Sequence, residues 1–486
     1  MLLITQHADY KHVVIFIFDD DVCSNMTTSF LSPAQWALNE FGAAQLGDKR
    51  RNRRVVRIAA SLAANPGGTL PGAFPLWAEL KAAYRFFDQR GASYEQIIAA
   101  HLERTRDACR QPGDYLLIED TTGLDFRNHP ATQDLGISGN GGGRGFDLHS
   151  ALALRVEHWT IEQRPEGTLL GLFDQQCRTP RPVPKGETRA QCLTRCRKTQ
   201  TWASAFKSAG RPPEGSRWIY VADRESDFYE PLQICQLHGV DFVVRSWHDR
   251  RLAAHAGHLV EALAKAPILG ESTVEVRSRA GVPARTAIAQ LRSVRVDLDG
   301  PWRPGGRQAP LAGVGVLEIK EVQAPEGVTV PLHWILLTSL SCATMIEARR
   351  VSGIYTRRWL VEEYHKALKS GAGVENSQLE RGYRLESLIG VLAVVAVRLL
   401  STKLMARSRP ESPEAAESFG PEMLTLLEMK LGKPKNGWTN QNVMTSIARL
   451  GGFLARKHDG MPGWQTIWRG WQRLMWMVEG VNLMTP

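Results

Sequence analysis

The sequence predicts an α/β protein: a mixed sheet, interrupted by an inserted β segment, with helical regions at both ends. Three observations predict it. Short apolar runs at Tyr115–Ile118 and Trp218–Ala222 each stop at an acid, as buried strands of an open sheet often do. Between about residues 250 and 344 the pattern becomes strand-like runs punctuated by Gly and Pro. Near both ends of the chain, apolar residues recur at helical spacing. At 486 residues the chain has room for two or three domains. Its 43% hydrophobic and 23% charged residues exclude a largely disordered chain.

The elements follow in order. Val13–Phe18 is apolar but is followed at once by Asp19–Asp21, too short and wrongly flanked for a signal peptide. Residues 1–25 are therefore expected to be a loose tail or an over-long start ahead of Met26. From Pro33 to about Arg90 the pattern is helical. Asp48 is positioned to cap a helix whose first turns hold Lys49, Arg50, Arg51, Arg53, Arg54 and Arg57, with Val55, Ile58, Ala59 and Leu62 on its apolar side. Phosphate contact and a solvated charged face explain this density equally well, and no clear helix-turn-helix is present.

Tyr115–Ile118 follows a Pro112-Gly113 turn and ends at Glu119-Asp120. Leu148–Val156 and Leu169–Phe173 are its expected neighbours. A helix over Thr188–Ala209, a strand ending at Asp223 and a strand at Phe242–Arg245 come next. Thr273–Arg277, Arg285–Val296, Val314–Val322 and Leu332–Leu337 form the inserted β subdomain. One helix is expected over Met345–Ser370 and an apolar one after Leu385. The run Leu388–Val397 is too short to span a bilayer and suits a buried helix. Arg407–Gly420, rich in Ser, Pro and Glu, suits a linker. The last segment is helical, and Trp464, Trp468, Trp471, Met475 and Val478 recur on one side of it. That stripe suits either an internal core or a helix–helix dimer contact.

Lys and Arg number 60 against 50 Asp and Glu, a net charge of +10, which suits a polyanionic partner without proving one. Seven scattered cysteines, an odd number without disulfide spacing, indicate a reducing cytoplasm. Cys192 and Cys196 lack a second ligand pair, and ordinary thiols are the default over structural zinc. The glycine-rich stretch Gly139–Gly145 lacks the Gly-Lys-Ser/Thr ending of a phosphate loop and suggests no nucleotide cofactor.

The chemistry-bearing constellation has three parts. Asp120 and Asp223 stand at the C-terminal ends of buried strands, where ligands of open sheets gather; a lone Asp there is more often a cap. The third part is the helix near 360. At ~100° per residue, Tyr355, Arg358, Glu362 and Lys369 fall within roughly 60° of one stripe. An Arg358–Glu362 surface pair explains two of these residues but not all four. Three carboxylates from separate elements suit Mg²⁺ or Mn²⁺, and two such ions suit phosphoryl transfer. Asp227 is a rival ligand, though its expected role is to support Arg224.

The run from Tyr355 to Lys369 contains Y-x2-R-x3-E-x6-K. It resembles the signature of bacterial insertion-sequence DDE transposases, and most closely the insertion-sequence-four family, which includes the transposon-five transposase. Leu46–Arg51, Ile118–Thr122, Ala222–Asp227, Phe242–Ser246 and Ile447–Phe453 resemble further segments of that family, so the likeness spans most of the chain after Met26. The first 25 residues have no counterpart.

The resemblance implies an RNase H-like catalytic core, with Asp120, Asp223 and Glu362 as catalytic ligands of two Mg²⁺ ions per site, Mn²⁺ substituting. It implies phosphate contacts from Tyr355, Arg358 and Lys369. It also implies a base-stacking role for Trp334, 21 residues before Tyr355; without the resemblance, Trp334 suits core packing. Arg245 and Trp359 are weaker DNA contacts. The implied division is a helical DNA-end-binding domain over 26–93, the catalytic domain over 94–405 and a helical dimerisation domain over 406–486. The implied activity is cut-and-paste transposition through a DNA hairpin, by a homodimer bridging two inverted-repeat ends and joining them to target DNA. No membrane is involved. The alternatives are an inactive or inhibitory DNA-binding derivative, and a nuclease that cuts without joining.

Overall fold

A computed structural model describes residues 31–484 apart from 68, 140–141, 182–185, 189–199, 277–283, 304 and 409. The amino-terminal tail, the glycine stretch at 140–141 and the Cys192/Cys196 pair lie outside the described residues.

Helices α1 (Pro33–Phe41), α2 (Lys49–Ala64), α3 (Leu70–Ala73), α4 (Trp77–Phe87) and α5 (Tyr94–Cys109) come first. Asp48 caps α2, its Oδ1 accepting from the Arg50 N–H at 2.7 Å. Val55, Ile58, Ala59 and Leu62 form the buried stripe of α2, opposite the cations. A capping box between Ser93 and Gln96 starts α5.

The strands are β1 (Gly113–Asp125), β2 (Gly136–Ser138), β3 (Gly143–Trp159), β4 (Pro165–Arg178), β5 (Ser216–Ala222), β6 (Asp241–Arg245), β7 (Ile268–Val276), β8 (Arg285–Leu298), the short ribbon β9 (Trp302–Arg303) with β10 (Gly306–Arg307), β11 (Leu311–Glu321) and β12 (His333–Thr338). All except the ribbon join one 10-stranded sheet. Strand β3 is antiparallel to both of its neighbours β4 and β1, and β5 and β6 run parallel to β1. That order, with helices on both faces, is the RNase H-like arrangement. The inserted strands continue this sheet, because β12 pairs with β6 and carries β11, β8 and β7 outward.

Helices α6 (Ala205–Ala209), α7 (Tyr229–His238) and α8 (Leu259–Lys265) supply residues to one apolar layer; α9 (Met345–Thr356) and α10 (Trp359–Lys366) supply the other. The remaining helices are α11 (Gly382–Ser408), α12 (Glu414–Leu431), α13 (Asn440–Leu450) and α14 (Trp464–Met484). Of the helix expected over Thr188–Ala209, residues 200–209 are described and only Ala205–Ala209 is α-helical.

Two expectations need correction, and two others gain detail. Met345–Ser370 is not one helix. It breaks at Arg357-Arg358, whose N–H groups reach back three residues to Ile354 and Tyr355, and it ends in a π turn at Ala367–Gly371. The apolar helix α11, expected to be buried, is 27 residues long, enough by length and composition to cross a membrane. However, 89% of its most apolar window is buried inside the protein, which marks a core helix. Most of the Arg407–Gly420 linker is helical: α11 runs to Ser408 and α12 starts at Glu414, with Pro421 inside its second turn. Finally, the tryptophan stripe of α14 is internal. Trp468, Trp471 and Leu474 are buried, and Trp464, Met475 and Val478 pack against the same core.

The π turn is where three distant parts of the chain meet. A Cβ on Gly371 would lie 2.5 Å from the Trp468 indole nitrogen, and a Cβ on Gly67, whose φ is +73°, would lie 2.8 Å from the Gly371 carbonyl. Only glycine lets the three backbones and the indole approach this closely. Gly371→Ala is expected to cost about 1–3 kcal/mol of stability by overpacking. In chemical denaturation, adding Trp468→Leu should give a loss smaller than the sum of the two single variants. Strict additivity would show that the two residues do not press on each other.

Candidate active site

The sheet geometry assembles the site. Strands β1 and β5 are paired in parallel up to Glu119 and Ala222, so Asp120 and Asp223 stand side by side one step further on. Neighbouring strands lie about 4.8 Å apart. Side chains alternate between faces. Ile118, Val221, Val243 and Leu336 lie in the core layer that also holds α9 and α10 residues. Counting on by twos puts Asp120, Asp223, Arg245 and Trp334 on that face. Glu362 approaches them from α10.

Helix α10 is held in place by its buried side. The His365 imidazole meets the Ser150 hydroxyl at 3.3 Å, and Ser150 is the cross-strand partner of Asp120. Tyr364 accepts a hydrogen bond from the Gln175 amide at 2.8 Å, and the same amide reaches Ser150. Burial, then the nearby Lys369 and His149, lower the His365 pKa to about 3, so this imidazole is neutral. Leu360, Val361 and Leu368 are buried beside it.

Arg358 is the central charge. Its Nη2 donates to Glu362 Oε1 at 2.7 Å, and its Nη1 lies 3.8 Å from Asp120 Oδ2. It is 7% exposed, with its guanidinium 4.6 Å from the Trp359 ring centroid and 6.0 Å from that of Tyr355. Among the described residues no three His, Cys, Asp or Glu side chains are already drawn into a coordination shell. Asp120, Asp223 and Glu362 are close enough to act on one another, but in this structure Arg358 balances their charge.

That charge is incompletely balanced at Asp120. Burial, reinforced by the Asp223 charge and opposed by Arg358, raises its pKa to about 7. Burial also raises Asp223, whose carboxylate caps the following turn through the Glu225 N–H at 2.8 Å. Buried hard oxygen donors, one of them keeping its proton up to about neutral pH, are a donor set that suits a divalent cation.

The other expected residues divide. Tyr355 is buried and meets Trp334 edge-to-face, ring centroids 5.0 Å apart; Trp334 itself is only 5% exposed. Arg245 donates to the His333 carbonyl at 3.2 Å. Lys369, carried on the π turn, leaves the Arg358–Glu362 stripe. Its ammonium donates to the Gly123 carbonyl at 2.6 Å and lies 3.5 Å from Glu375. In the amino-terminal helices Lys49, Arg50 and Arg53 are exposed, while Arg51 and Arg54 are half-buried, Arg51 donating to the Leu46 carbonyl. Asp227 is a correction. It supports Arg250, not Arg224, and is spent on the 246–248 loop.

Glu119, His149 and Glu375 were not foreseen. The buried Glu119 carboxylate accepts from the Ala203 N–H and faces His149 Nε2 at 3.2 Å, while His149 Nδ1 meets the Thr121 hydroxyl at 2.9 Å. This braces β1 on either side of Asp120. The strand does not end at Glu119-Asp120 as expected but runs on to Asp125, because β3 stays paired with it beyond the last β5 contact. The adjacent acids were the available signal, since alternation sends one to each face.

Two protein-family models match the chain. One, described as transposase DNA-binding, matches residues 33–92, which contain α1–α4. The other, described as a transposase Tn5 dimerisation domain, matches residues 394–485, from within α11 through α14. Together they support a DNA transposase of the Tn5 type that binds DNA and forms a dimer.

The raised Asp120 pKa has a signed consequence. An unfolded Asp ionises near 3.9, so between about pH 4 and 7 the folded chain binds the extra proton. Stability then falls as pH rises through that window, by on the order of a few kcal/mol. Asp120→Asn should raise the thermal unfolding midpoint at pH 8 in metal-free buffer and flatten the slope between pH 5 and 8. An unchanged slope would mean that Asp120 ionises normally.

Proposed function

We propose that the chain is a Mg²⁺-dependent cut-and-paste DNA transposase of the insertion-sequence-four kind. The observation that carries this reading is the pair Asp120 and Asp223, side by side where the parallel pairing of β1 and β5 stops, faced by Glu362, with Arg358 spanning Asp120 and Glu362. An enzyme acting on a phosphodiester needs such a place, where negative charge can be gathered and then neutralised.

Asp120, Asp223 and Glu362 would hold the ions. When bound, two Mg²⁺ would make an attacking oxygen more nucleophilic and stabilise the leaving one. Arg358 would leave Glu362 for a DNA phosphate, exchanging one anionic partner for another. Arg245 and Tyr355 lie close enough to grip the same backbone, and Lys369 would swing from the Gly123 carbonyl to a neighbouring phosphate. Trp334 can take a flipped base on its face only if Tyr355 withdraws from the ring. Stacking would offset part of the flipping cost.

The reaction sequence is hydrolysis followed by transesterification. Water attacks a phosphorus at the element's end and frees a 3′-hydroxyl. That hydroxyl attacks the opposite strand, releasing the flanking DNA and closing a hairpin. A second water reopens the hairpin, and the same 3′-hydroxyl attacks target DNA. Each step makes one P–O bond and breaks one, so no covalent protein intermediate is required. Lys49, Arg50 and Arg53 on the exposed side of α2 would contact phosphates of the inverted repeat. Glu362→Ala should reduce hairpin and strand-transfer products to background while leaving end binding within a few-fold of wild type. Denaturing gels with DNA carrying the flanking inverted repeats, with Mg²⁺ or Mn²⁺, read both outcomes. Binding without cleavage by the wild-type chain would favour an inactive derivative.

The internal tryptophan stripe moves the dimer contact to another face. Trp476 is 57% exposed and Met429 79%, and Trp476 lines a groove with Leu431, Leu450 and Met477. Exposed aromatics and methionines of this kind are enriched at interfaces. Trp476→Asp should shift DNA complexes from paired-end to single-end species in native gels without reducing the helical signal of the free protein. Undiminished paired-end complexes would place the contact elsewhere.

A further inference from the structure

We propose that Trp247 and Arg224 form a stacking platform for an unpaired DNA base beside the candidate active site. The inference rests on the transposase reading and adds a contact outside the acids and the 355–369 segment.

Trp247 is 62% exposed. A single exposed ring decides little, since scattered surface hydrophobics are common. Two further observations decide it. First, the loop that presents the ring is rigidly built. Asp227, whose side chain is 0% exposed, accepts at Oδ2 from the Trp247 N–H at 2.6 Å, the His248 N–H at 3.0 Å and the Ser246 hydroxyl at 3.1 Å. Its Oδ1 takes both Nε and Nη2 of Arg250, at 3.0 and 2.5 Å. A buried carboxylate satisfied this fully fixes the backbone around it. The ring therefore stands in water on a pre-ordered loop, and little ordering entropy remains to be lost on binding.

Second, the platform is charged and adjacent to the acids. The Arg224 guanidinium lies 4.4 Å from the Trp247 ring centroid, and Arg224 follows Asp223 directly. Strands β5 and β6 are in register at Ala222 and Val244, so Asp223 and Arg245 come next and Arg224 stands opposite the loop bearing Trp247. A nucleotide with its phosphate at Asp223 has this ring within reach of a neighbouring base. An aromatic face carrying a cation attracts both the π system of a base and the phosphate beside it. The duplex hides base faces within its stack, so the ligand is an unpaired base, as strand opening at a cut site exposes. The net charge of +10 favours this polyanion over a protein partner.

The test uses the full-length protein and element-end DNA with 2-aminopurine placed in turn at positions around the cleavage site. Trp247→Phe, Trp247→Leu and Trp247→Ala all keep the backbone N–H that Asp227 holds. At one position the probe should be dim in wild-type and Phe complexes and severalfold brighter in Leu and Ala complexes. Binding of an unpaired strand should weaken about fivefold or more in Leu and Ala but not in Phe, as expected for loss of a stacked base. If no position responds to Trp247, or if Leu behaves as Phe does, the proposal falls. It also falls if Trp247→Ala leaves every probe unchanged yet abolishes paired-end complexes, which would assign the ring to a protein contact. Cleavage by the wild-type chain is scored separately. A Trp247-dependent signal without any cleavage would preserve the platform and overturn the transposase reading.

Discussion

Like charges forced together in a dry place must be neutralised, and that constraint organises this structure. Two aspartates side by side where neighbouring parallel strands part cannot both ionise freely with apolar layers around them. Asp120 responds by holding its proton to about pH 7, and Arg358 responds by spanning Asp120 and Glu362. The surrounding groups serve that balance. Ser150 and His365 tie α10 to the sheet, and Glu119 and His149 brace β1 on its other side. Arg358 is thus a resident counter-charge, held by the acids themselves.

The continuity of the sheet explains why residues from distant segments share one face. The inserted strands do not form a separate module hung beside the core, because β12 lies against β6 and inherits its alternation. Trp334 therefore points the same way as the two aspartates, and its buried edge contact with Tyr355 links the insert to the end of α9.

Much of this was legible in the sequence. Asp120 and Asp223 could be placed side by side because each follows a short apolar run, although only β5 ends there and β1 continues to Asp125. Arg358 and Glu362 could be found because their spacing puts them one helical turn apart. The failures have physical reasons. A uniform turn angle cannot anticipate a tight turn at Arg357-Arg358 or a π turn at Lys369, and the latter sends the lysine to Gly123. Composition marked Arg407–Gly420 as a linker, yet packing carries a helix through Pro421. Asp227 was assigned to a near neighbour in sequence, whereas its partner, Arg250, lies across the fold. The tryptophan stripe had the right period but an undetermined audience: periodicity shows that a face is covered, not by what.

The meeting of Gly67, Gly371 and Trp468 bears on how the molecule is made. During synthesis the amino-terminal helices and the three acids leave the ribosome long before Trp468 does. Until α14 arrives, the turn carrying Lys369 lacks one of its walls. Its completion requires the last contacts of high sequence separation, which form late because chain closure must precede their gain. A chain halted before residue 464 would contain every acidic residue of the site and still have an unfinished one. Nascent and truncated chains would therefore carry the amino-terminal helices and the acids without the wall that Trp468 supplies, which makes the carboxyl-terminal helix the closing piece of a turn laid down about a hundred residues earlier.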